Sequence, residues 1–229
     1  MKRFWTTAAV TAERSVALDG RPVRTPSRAP LILPTDALAA AVAREWLDSG
    51  DTVDPRAMPL TGLANAAIDR IAPDRSAFAV GLARYGESDL LCYRAADPPQ
   101  LAARQAAAWD PVIAWAERRW DIHLAVTAGV MHRAQPPLAL ERLGQAIAAF
   151  DPFTLAALSP VVTITGSLLL ALALVEGALN PDQVWTAAHV DEDWQVELWG
   201  EDALAQQARA ARRREFDAAA LMLGHLATP

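Results

Sequence analysis

The placement of proline constrains the fold of this chain more than any other feature. After residue 96, an Asp or Asn stands directly before a proline four times, at Asp97-Pro98, Asp110-Pro111, Asp151-Pro152 and Asn180-Pro181. A short polar side chain caps the first turn of a helix, and proline is favoured at the first helical position. Inside a helix, proline removes a hydrogen bond. The pattern therefore predicts discrete helices capped by residues 97, 151 and 180, and a helix that breaks or kinks at Pro111.

The remaining helices are predicted from apolar periodicity and end signals. Thr35 or Asp36 can cap a helix that runs through Trp46 and ends at Gly50. Two shorter helices are expected at residues 60–71 and 76–86, and a long amphipathic helix at residues 201–226.

The first 34 residues are different, because short extended runs are separated there by turns. Residues 5–10, 15–18 and 22–25 are strand-like, and Asp19-Gly20 is typical of a tight hairpin turn. We therefore predict an α+β fold, with a small N-terminal antiparallel β domain followed by a larger multihelical C-terminal domain. The predicted domains are residues 1–58, which include the first helix, and residues 59–229.

Composition excludes several classes of protein. The chain of 229 residues is 52% hydrophobic and carries a net charge of −6, which allows a sizeable core and argues against nucleic-acid binding. The run Arg212-Arg213-Arg214 is accordingly interpreted as a solvated helix face rather than a phosphate-binding site. The single cysteine, Cys92, excludes a disulfide framework and is expected to be a buried, inert thiol.

The chain also lacks the common catalytic signatures. No nucleotide-binding glycine loop, HExxH or GxSxG pattern is present, and Lys2 is the only lysine. The four histidines have no metal-ligand spacing. We predict a protein that is not an enzyme and that has no cofactor and no metal.

One apolar run, residues 161–175, could suggest a membrane segment. It is shorter than the roughly 20 residues that a span requires and it includes Gly166 and Ser167, so a buried core helix is expected. The N-terminus has no apolar stretch typical of a signal peptide. A cytoplasmic location without membrane insertion is therefore expected.

Six carboxylates and two tryptophans occur within residues 191–202, which is the most unusual stretch of the chain. On a helix, Trp185, Glu192, Val196 and Trp199 would share one face, with Asp191 and Gln195 on the adjacent stripe. Three interpretations remain open: a metal or acid–base site, a solvated helix face, and a protein-binding surface with aromatic anchors. A carboxylate on an aromatic face requires an arginine, a metal or a partner molecule.

Several short motifs occur in a specific order along most of the chain. They are Arg3-Phe4-Trp5, the stretch from Leu18 to Pro26, Leu33-Pro34-Thr35, Ala43-Arg44-Glu45-Trp46, Met58-Pro59-Leu60-Thr61, the stretch from Asp89 to Arg94, Trp109-Asp110-Pro111, Asp191-Glu192-Asp193-Trp194-Gln195 and Trp199-Gly200-Glu201-Asp202. In these motifs the sequence resembles the ATP-twelve family, the assembly chaperones of F1-ATPase that receive the free alpha subunit. It departs from the family pattern at Leu47-Asp48-Ser49 and at Leu204.

This resemblance implies a chaperone without catalytic activity, whose partner is the F1-ATPase alpha subunit. Such a chaperone masks the surface that alpha later offers to the beta subunit, and it is expected to be a monomer when free. Relatives in eukaryotes would act in the mitochondrial matrix. An acidic residue before the Tyr/Trp-Gln pair is important in the family, and here it is Asp191 or Glu192; the helical spacing favours Glu192.

The resemblance and the spacing together give a set of expected partner-binding residues. They are Trp46, Asp89, Tyr93, Arg94, Asp191, Glu192, Gln195, Trp199, Gly200, Glu201 and Asp202. For Trp46, a purely structural role as a core anchor is equally compatible with the sequence. The alternative function is a helical enzyme or a small-molecule or metal binder that uses the carboxylates at residues 191–193.

Overall fold

A computed structural model describes residues 2–227 of the chain. Contacts divide these residues into two compact units. The first unit contains residues 2–78, 150–158 and 217–227, and the second contains residues 79–149 and 159–216. The first unit thus continues past residue 58, the predicted end of the N-terminal domain, and includes two later segments. The predicted boundary at residue 58 stays a prediction.

The α-helices of the described chain alternate with short turns and 3₁₀ segments. They are α1 (Asp36–Asp48), α2 (Pro59–Ala66), α3 (Arg75–Ala83), α4 (Pro99–Trp120), α5 (Pro137–Ala148), α6 (Pro152–Thr165), α7 (Leu168–Val175), α8 (Pro181–Ala188), α9 (Val190–Trp199) and α10 (Ala203–Leu226). The segment Ala67–Ile71 continues α2 as a π-helix. The strands are β1 (Ala8–Val10), β2 (Val16–Leu18), β3 (Arg21–Pro22), β4 (Tyr93–Arg94) and β5 (Thr127–Ala128).

The N-terminal sheet confirms the predicted antiparallel β unit. Its strand order is β1-β2-β3, and Ala8 faces Leu18 in the register. Asp19 and Gly20 both have positive φ angles, 45° and 79°, as the predicted tight turn requires. The Asp19 carboxylate accepts hydrogen bonds from the backbone N–H groups of Thr7 and Thr6, and these bonds lower its pKa to about 2. Asp19 therefore connects the turn after β2 to the residues that precede β1.

Helix α1 belongs to the core of the first unit. Thr35 caps it, and Leu38 and Val42 are fully buried on its inner face. Near its end, Glu45 accepts hydrogen bonds from Leu60 N at 2.7 Å and from Thr61 N at 2.8 Å, so that it caps the start of α2. The Glu45 carboxylate thus connects the end of α1 to the start of α2.

The apolar run at residues 161–175 is buried, as predicted, but it forms two helices. Gly166, with a φ of 67°, separates α6 from α7, and the Ser167 hydroxyl caps α7 through Leu170 N. Leu168 and every following residue to Ala173 are buried. Within residues 2–227, no helix is long and apolar enough to cross a membrane.

Two of the four predicted Asx-Pro helix starts are confirmed. The Asp151 carboxylate accepts a hydrogen bond from Phe153 N at 2.8 Å, and Asn180 forms a reciprocal capping box with Gln183. The predicted cap at Asp97 and the predicted break and new helix start at Asp110-Pro111 are wrong. Pro98 occupies the cap of α4 and makes no side-chain cap bond, so Asp97 does not cap this helix.

Helix α4 also continues without a break through Pro111. A proline inside a helix removes one N–H donor, but the residues that surround it, Trp109, Val112 and Ile113, are buried in the core of the second unit. Their burial holds the helix together. Asp110, instead of capping a new helix, pairs with Arg94 at 2.6 Å.

Candidate protein-binding groove

Helix α9 carries the acidic and tryptophan-rich stretch, and one of its faces is bound to α4. Gln105 of α4 donates a hydrogen bond to Asp191 Oδ1 at 2.7 Å. The adjacent Arg104 pairs with Glu197, six residues further along α9, at 2.7 Å and lies over the Trp194 ring, 4.8 Å from its centroid. Asp191, Trp194 and Glu197 thus hold α9 in place.

The opposite side of α9 faces α10 through a series of ion pairs. Arg212 contacts both carboxylate oxygens of Glu192, at 2.9 and 3.1 Å. Arg209 pairs with Asp193 at 2.6 Å, and Arg213 pairs with Asp182 of α8 at 2.5 Å. Three arginines on one face of α10 therefore neutralise three carboxylates of α8 and α9.

A groove of about 660 Å³ lies between α9 and the first half of α10. Val196 and Trp199 line it from α9, and the small side chains of Ala205 and Ala208 line it from α10. Trp199 is 77% exposed, and the neighbouring Leu204 is 75% exposed. Exposed apolar side chains in a groove that charged residues rim are a feature of protein-interaction sites.

Trp185 forms the buried base of the groove. Its ring stacks on His189 with 3.8 Å between the ring centroids, and the His189 Nδ1 donates a hydrogen bond to the Trp185 carbonyl oxygen at 2.8 Å. The Arg213 guanidinium also lies over the Trp185 ring, 5.2 Å from the ring centroid. Burial lowers the pKa of His189, which favours a neutral imidazole. The base of the groove is thus a rigid aromatic platform.

The structure brings six of the expected partner-binding residues together in this groove. They are Glu192, Gln195, Trp199, Gly200, Glu201 and Asp202. The choice between Asp191 and Glu192, which the sequence left open, now has a geometric basis. Glu192 lines the groove, whereas Asp191 points to Gln105 of α4.

Asp89 requires a correction, because its side chain is 1% exposed and has no surface to offer a partner. Its carboxylate accepts hydrogen bonds from Leu91 N, from the Ser167 hydroxyl at 2.8 Å and from Leu169 N at 3.0 Å. Burial nevertheless raises its pKa to about 6. Asp89 therefore fixes the start of α7 inside the second unit.

The other expected residues lie outside the groove. Tyr93 contacts His132 Nδ1 through its hydroxyl at 3.0 Å, and the mostly buried Arg94 lies over the Trp109 ring. In the first unit, the half-buried Trp46 packs edge-on against Trp5 with 5.3 Å between the ring centroids. These contacts give Arg94 and Trp46 structural roles; a role in partner binding for Tyr93, Arg94 or Trp46 stays a prediction.

The contacts of residues 191–193 do not favour a metal or acid–base site. Each of these carboxylates is already bound, to Gln105, Arg212 or Arg209. Among residues 2–227, no group of three or more His, Cys, Asp or Glu side chains could hold a metal ion. Cys92 is buried, as expected, and burial raises its pKa to about 12.

The arginines of α10 were not recognised in the sequence as part of the site. Residues 212–214 lie on a partly exposed helix face, but Arg212 and Arg213 also pair with Glu192 and Asp182, which the interpretation as a solvated face did not include. The spacing of Arg209, Arg212 and Arg213 puts them on one helical face, and this could have indicated a partner for the acidic segment. The sequence does not show which acids that face meets.

Comparison with known proteins agrees with this architecture. Residues 2–117 match the family model described as ATP12 chaperone protein. The chain is 24% identical to the mitochondrial protein atp12 of Schizosaccharomyces pombe over 219 residues, which cover 88% of this chain and 75% of that protein. The crystal structure of Atp12 from Paracoccus denitrificans is 41% identical and superposes with a TM-score of 0.92, covering 97% of both chains. A point mutant of the P. denitrificans protein is 40% identical, with the same TM-score and coverage.

The matched family is one of chaperones and not of enzymes, which confirms that part of the prediction. The likeness in sequence extends over most of the chain, and the likeness in fold covers both units. This protein belongs to the ATP12 chaperone family.

Proposed function

We propose that this protein is an assembly chaperone of the F1 sector of ATP synthase that binds the free alpha subunit. It masks the surface that alpha offers to the beta subunit until the hexamer forms. Family membership supports the chaperone role. The observation that carries the binding role is the α9–α10 groove, which Val196 and the largely exposed Trp199 line.

The physical basis is mass action on an exposed apolar interface. A tryptophan that protrudes from a rigid surface buries a large area in a complex and is the residue type most enriched at binding hot spots. The groove residues are held by ion pairs, so little order has to be gained on binding. Binding the free alpha subunit lowers the concentration of its exposed interface, and this opposes aggregation.

Co-expression with the cognate alpha subunit, followed by size-exclusion chromatography, tests this function. The two chains should co-elute, and alpha should become soluble. Trp199→Ala should weaken the complex by at least tenfold, because a hot-spot tryptophan contributes about 2 kcal/mol or more. The melting temperature of the Trp199→Ala variant should equal that of the unaltered protein, since Trp199 is 77% exposed.

Leu138→Ala is the matched control, because Leu138 is an exposed apolar residue at the start of α5 outside the groove. This variant should bind alpha as the unaltered protein does. If alpha neither co-elutes nor gains solubility, the proposed function is wrong. An equal loss of binding in both variants would show that the groove is not the binding site.

A further inference from the structure

The carboxylates around the α9–α10 groove fall into two classes. Those at one end are neutralised by Arg209, Arg212 and Arg213. At the other end lie Glu201 and Asp202, which follow the exposed Trp199 after Gly200. Within the described residues neither carboxylate pairs with a cation, and the Asp202 carboxylate accepts a hydrogen bond from Ala205 N. The groove therefore has a negative end and a neutral end.

The partial charge of the α10 N-terminus does not cancel this negative end. A helix N-terminus carries about +0.5 of an elementary charge, whereas Glu201 and Asp202 together carry two negative charges. The remaining charge lies beside an exposed indole, and a cation is attracted to the face of such a ring. Both features favour a positively charged group at this end.

The shape of the groove favours a helix as the occupant. Ala205 and Ala208 are one turn apart on α10 and allow a close approach, while Val196 and Trp199 form the facing wall. From Asp202 to Arg212, α10 rises about 15 Å, which equals about three helical turns. An amphipathic helix of that length would place its apolar face on these side chains.

We propose that the groove binds a helical segment of the client with an apolar face and a lysine or arginine that pairs with Glu201 and Asp202. This inference rests on the proposed function and specifies the chemistry recognised at that site. The unpaired acids orient the segment, because its basic residue must lie at the Trp199 end and not at the end where the arginines are already paired.

Neutralisation of the two acids tests the charge requirement. Glu201→Gln combined with Asp202→Asn removes both charges, and Asn caps a helix as well as Asp does, so α10 should keep its start. The affinity for purified alpha subunit, measured by titration at low salt, should fall about tenfold. It should also depend less steeply on salt. The control, Glu141→Gln combined with Glu215→Gln, removes two exposed charges outside the groove. It should change neither the affinity for alpha nor the salt dependence of that affinity.

Cross-linking tests the occupant directly. Leu204→Cys carries a benzophenone label selectively, since Cys92 is buried and its pKa is about 12. After photolysis of the complex with alpha, mass spectrometry should identify one cross-linked peptide, amphipathic in helical projection and containing a lysine or arginine. The control label at Leu138→Cys should give no such product.

The outcomes separate the inference from the proposed function. If alpha binds but the neutral variant keeps full affinity, the charge pairing is wrong while the chaperone function stands. A cross-linked peptide without a basic residue would also overturn the inference. Cross-links between two copies of this chain would show that the groove is a self-association surface. If alpha does not bind the unaltered protein, both the function and the inference fail.

Discussion

At the scale of single residues, the carboxylates of this protein differ by burial and by partner. Asp89 is buried among three hydrogen-bond donors, and yet its pKa is raised because the loss of solvation outweighs them. Glu192 remains half-exposed and faces a guanidinium. The same functional group thus contributes to the fold in one place and lines the α9–α10 groove in the other.

Asp89 should make stability depend on pH. Its pKa is about 6 in the folded protein and 3.8 in the reference state, so the folded state holds a proton that the unfolded state releases between these values. The contribution is fully present below about pH 4 and is lost as the pH rises through 6, with an upper limit of about 3 kcal/mol. In denaturant unfolding, the free energy of unfolding of the protein minus that of Asp89→Asn should fall from pH 4 to pH 6.5, because only the protein carries the titrating carboxyl group. A rise of this signed difference over the same range would show that the three donors dominate and that the pKa is lowered.

Glu192→Gln should change the free energy of unfolding by less than about 1 kcal/mol. The Glu192 and Arg212 side chains are 46% and 41% exposed, and partly exposed ion pairs contribute little because water screens them. A double-mutant cycle with Arg212→Gln, followed by urea unfolding, measures the pair. A coupling energy of several kcal/mol would mean that the pair is a structural element and not a feature of the binding surface.

At the scale of elements, the turn between α9 and α10 determines the shape of the groove. Gly200 ends α9 with a φ of 81° and a ψ of 179°, a backbone conformation that is almost restricted to glycine. No heavy atom lies within 4 Å of the position that a Cβ would occupy. The glycine is therefore required by the backbone and not by crowding.

Gly200→Ala should lower the free energy of unfolding by about 1–3 kcal/mol or shift the turn, and in either case weaken alpha binding. Gly81→Ala adds the same methyl group in α3, also with no heavy atom within 4 Å, but at a helical position. This control should stabilise the protein by about 0.5–1 kcal/mol and keep full binding. Thermal unfolding and the co-elution assay measure both effects. Equal behaviour of the two variants would exclude a special role for the Gly200 backbone.

At the scale of the whole molecule, the first unit combines segments that are far apart in the sequence. The Thr35 hydroxyl donates a hydrogen bond to the His225 carbonyl oxygen at 2.9 Å, and Met222 is fully buried. Leu155, from the central segment, is also fully buried. The start of α1 and the end of α10 are thus connected within the same unit.

The fragment 59–229 corresponds to the predicted C-terminal domain, and we expect it not to keep all of its native structure. Residues 217–226 would lose their partners from residues 2–58, so their amide hydrogens should exchange faster than in the intact protein. Residues 159–216 belong to the second unit and should stay protected. Native protection of residues 217–226 in the fragment would instead support the domain boundary at residue 58.

The sequence by itself determined the local structure and the family. Thr35, Asp151 and Asn180 mark helix starts, and Asp19-Gly20 marks the hairpin turn, because capping and turn chemistry act between near neighbours in the chain. The ordered motifs indicated the chaperone family, and helical spacing indicated Glu192 and Trp199 as parts of one surface.

Only the tertiary structure decided which groups meet across the chain. It buried Asp89, carried α4 through Pro111, paired Glu192 with Arg212 and formed the short parallel pair β4–β5. Glu192 and Arg212 are 20 residues apart, and Asp89 and Ser167 are 78 apart. Contacts of this kind depend on packing between distant segments, because local capping, turn and periodicity rules do not specify which distant groups will meet. Periodicity placed Glu192 on a surface, and packing alone decided that arginines of α10 would face it and that, within residues 2–227, Glu201 and Asp202 would have no cation as partner.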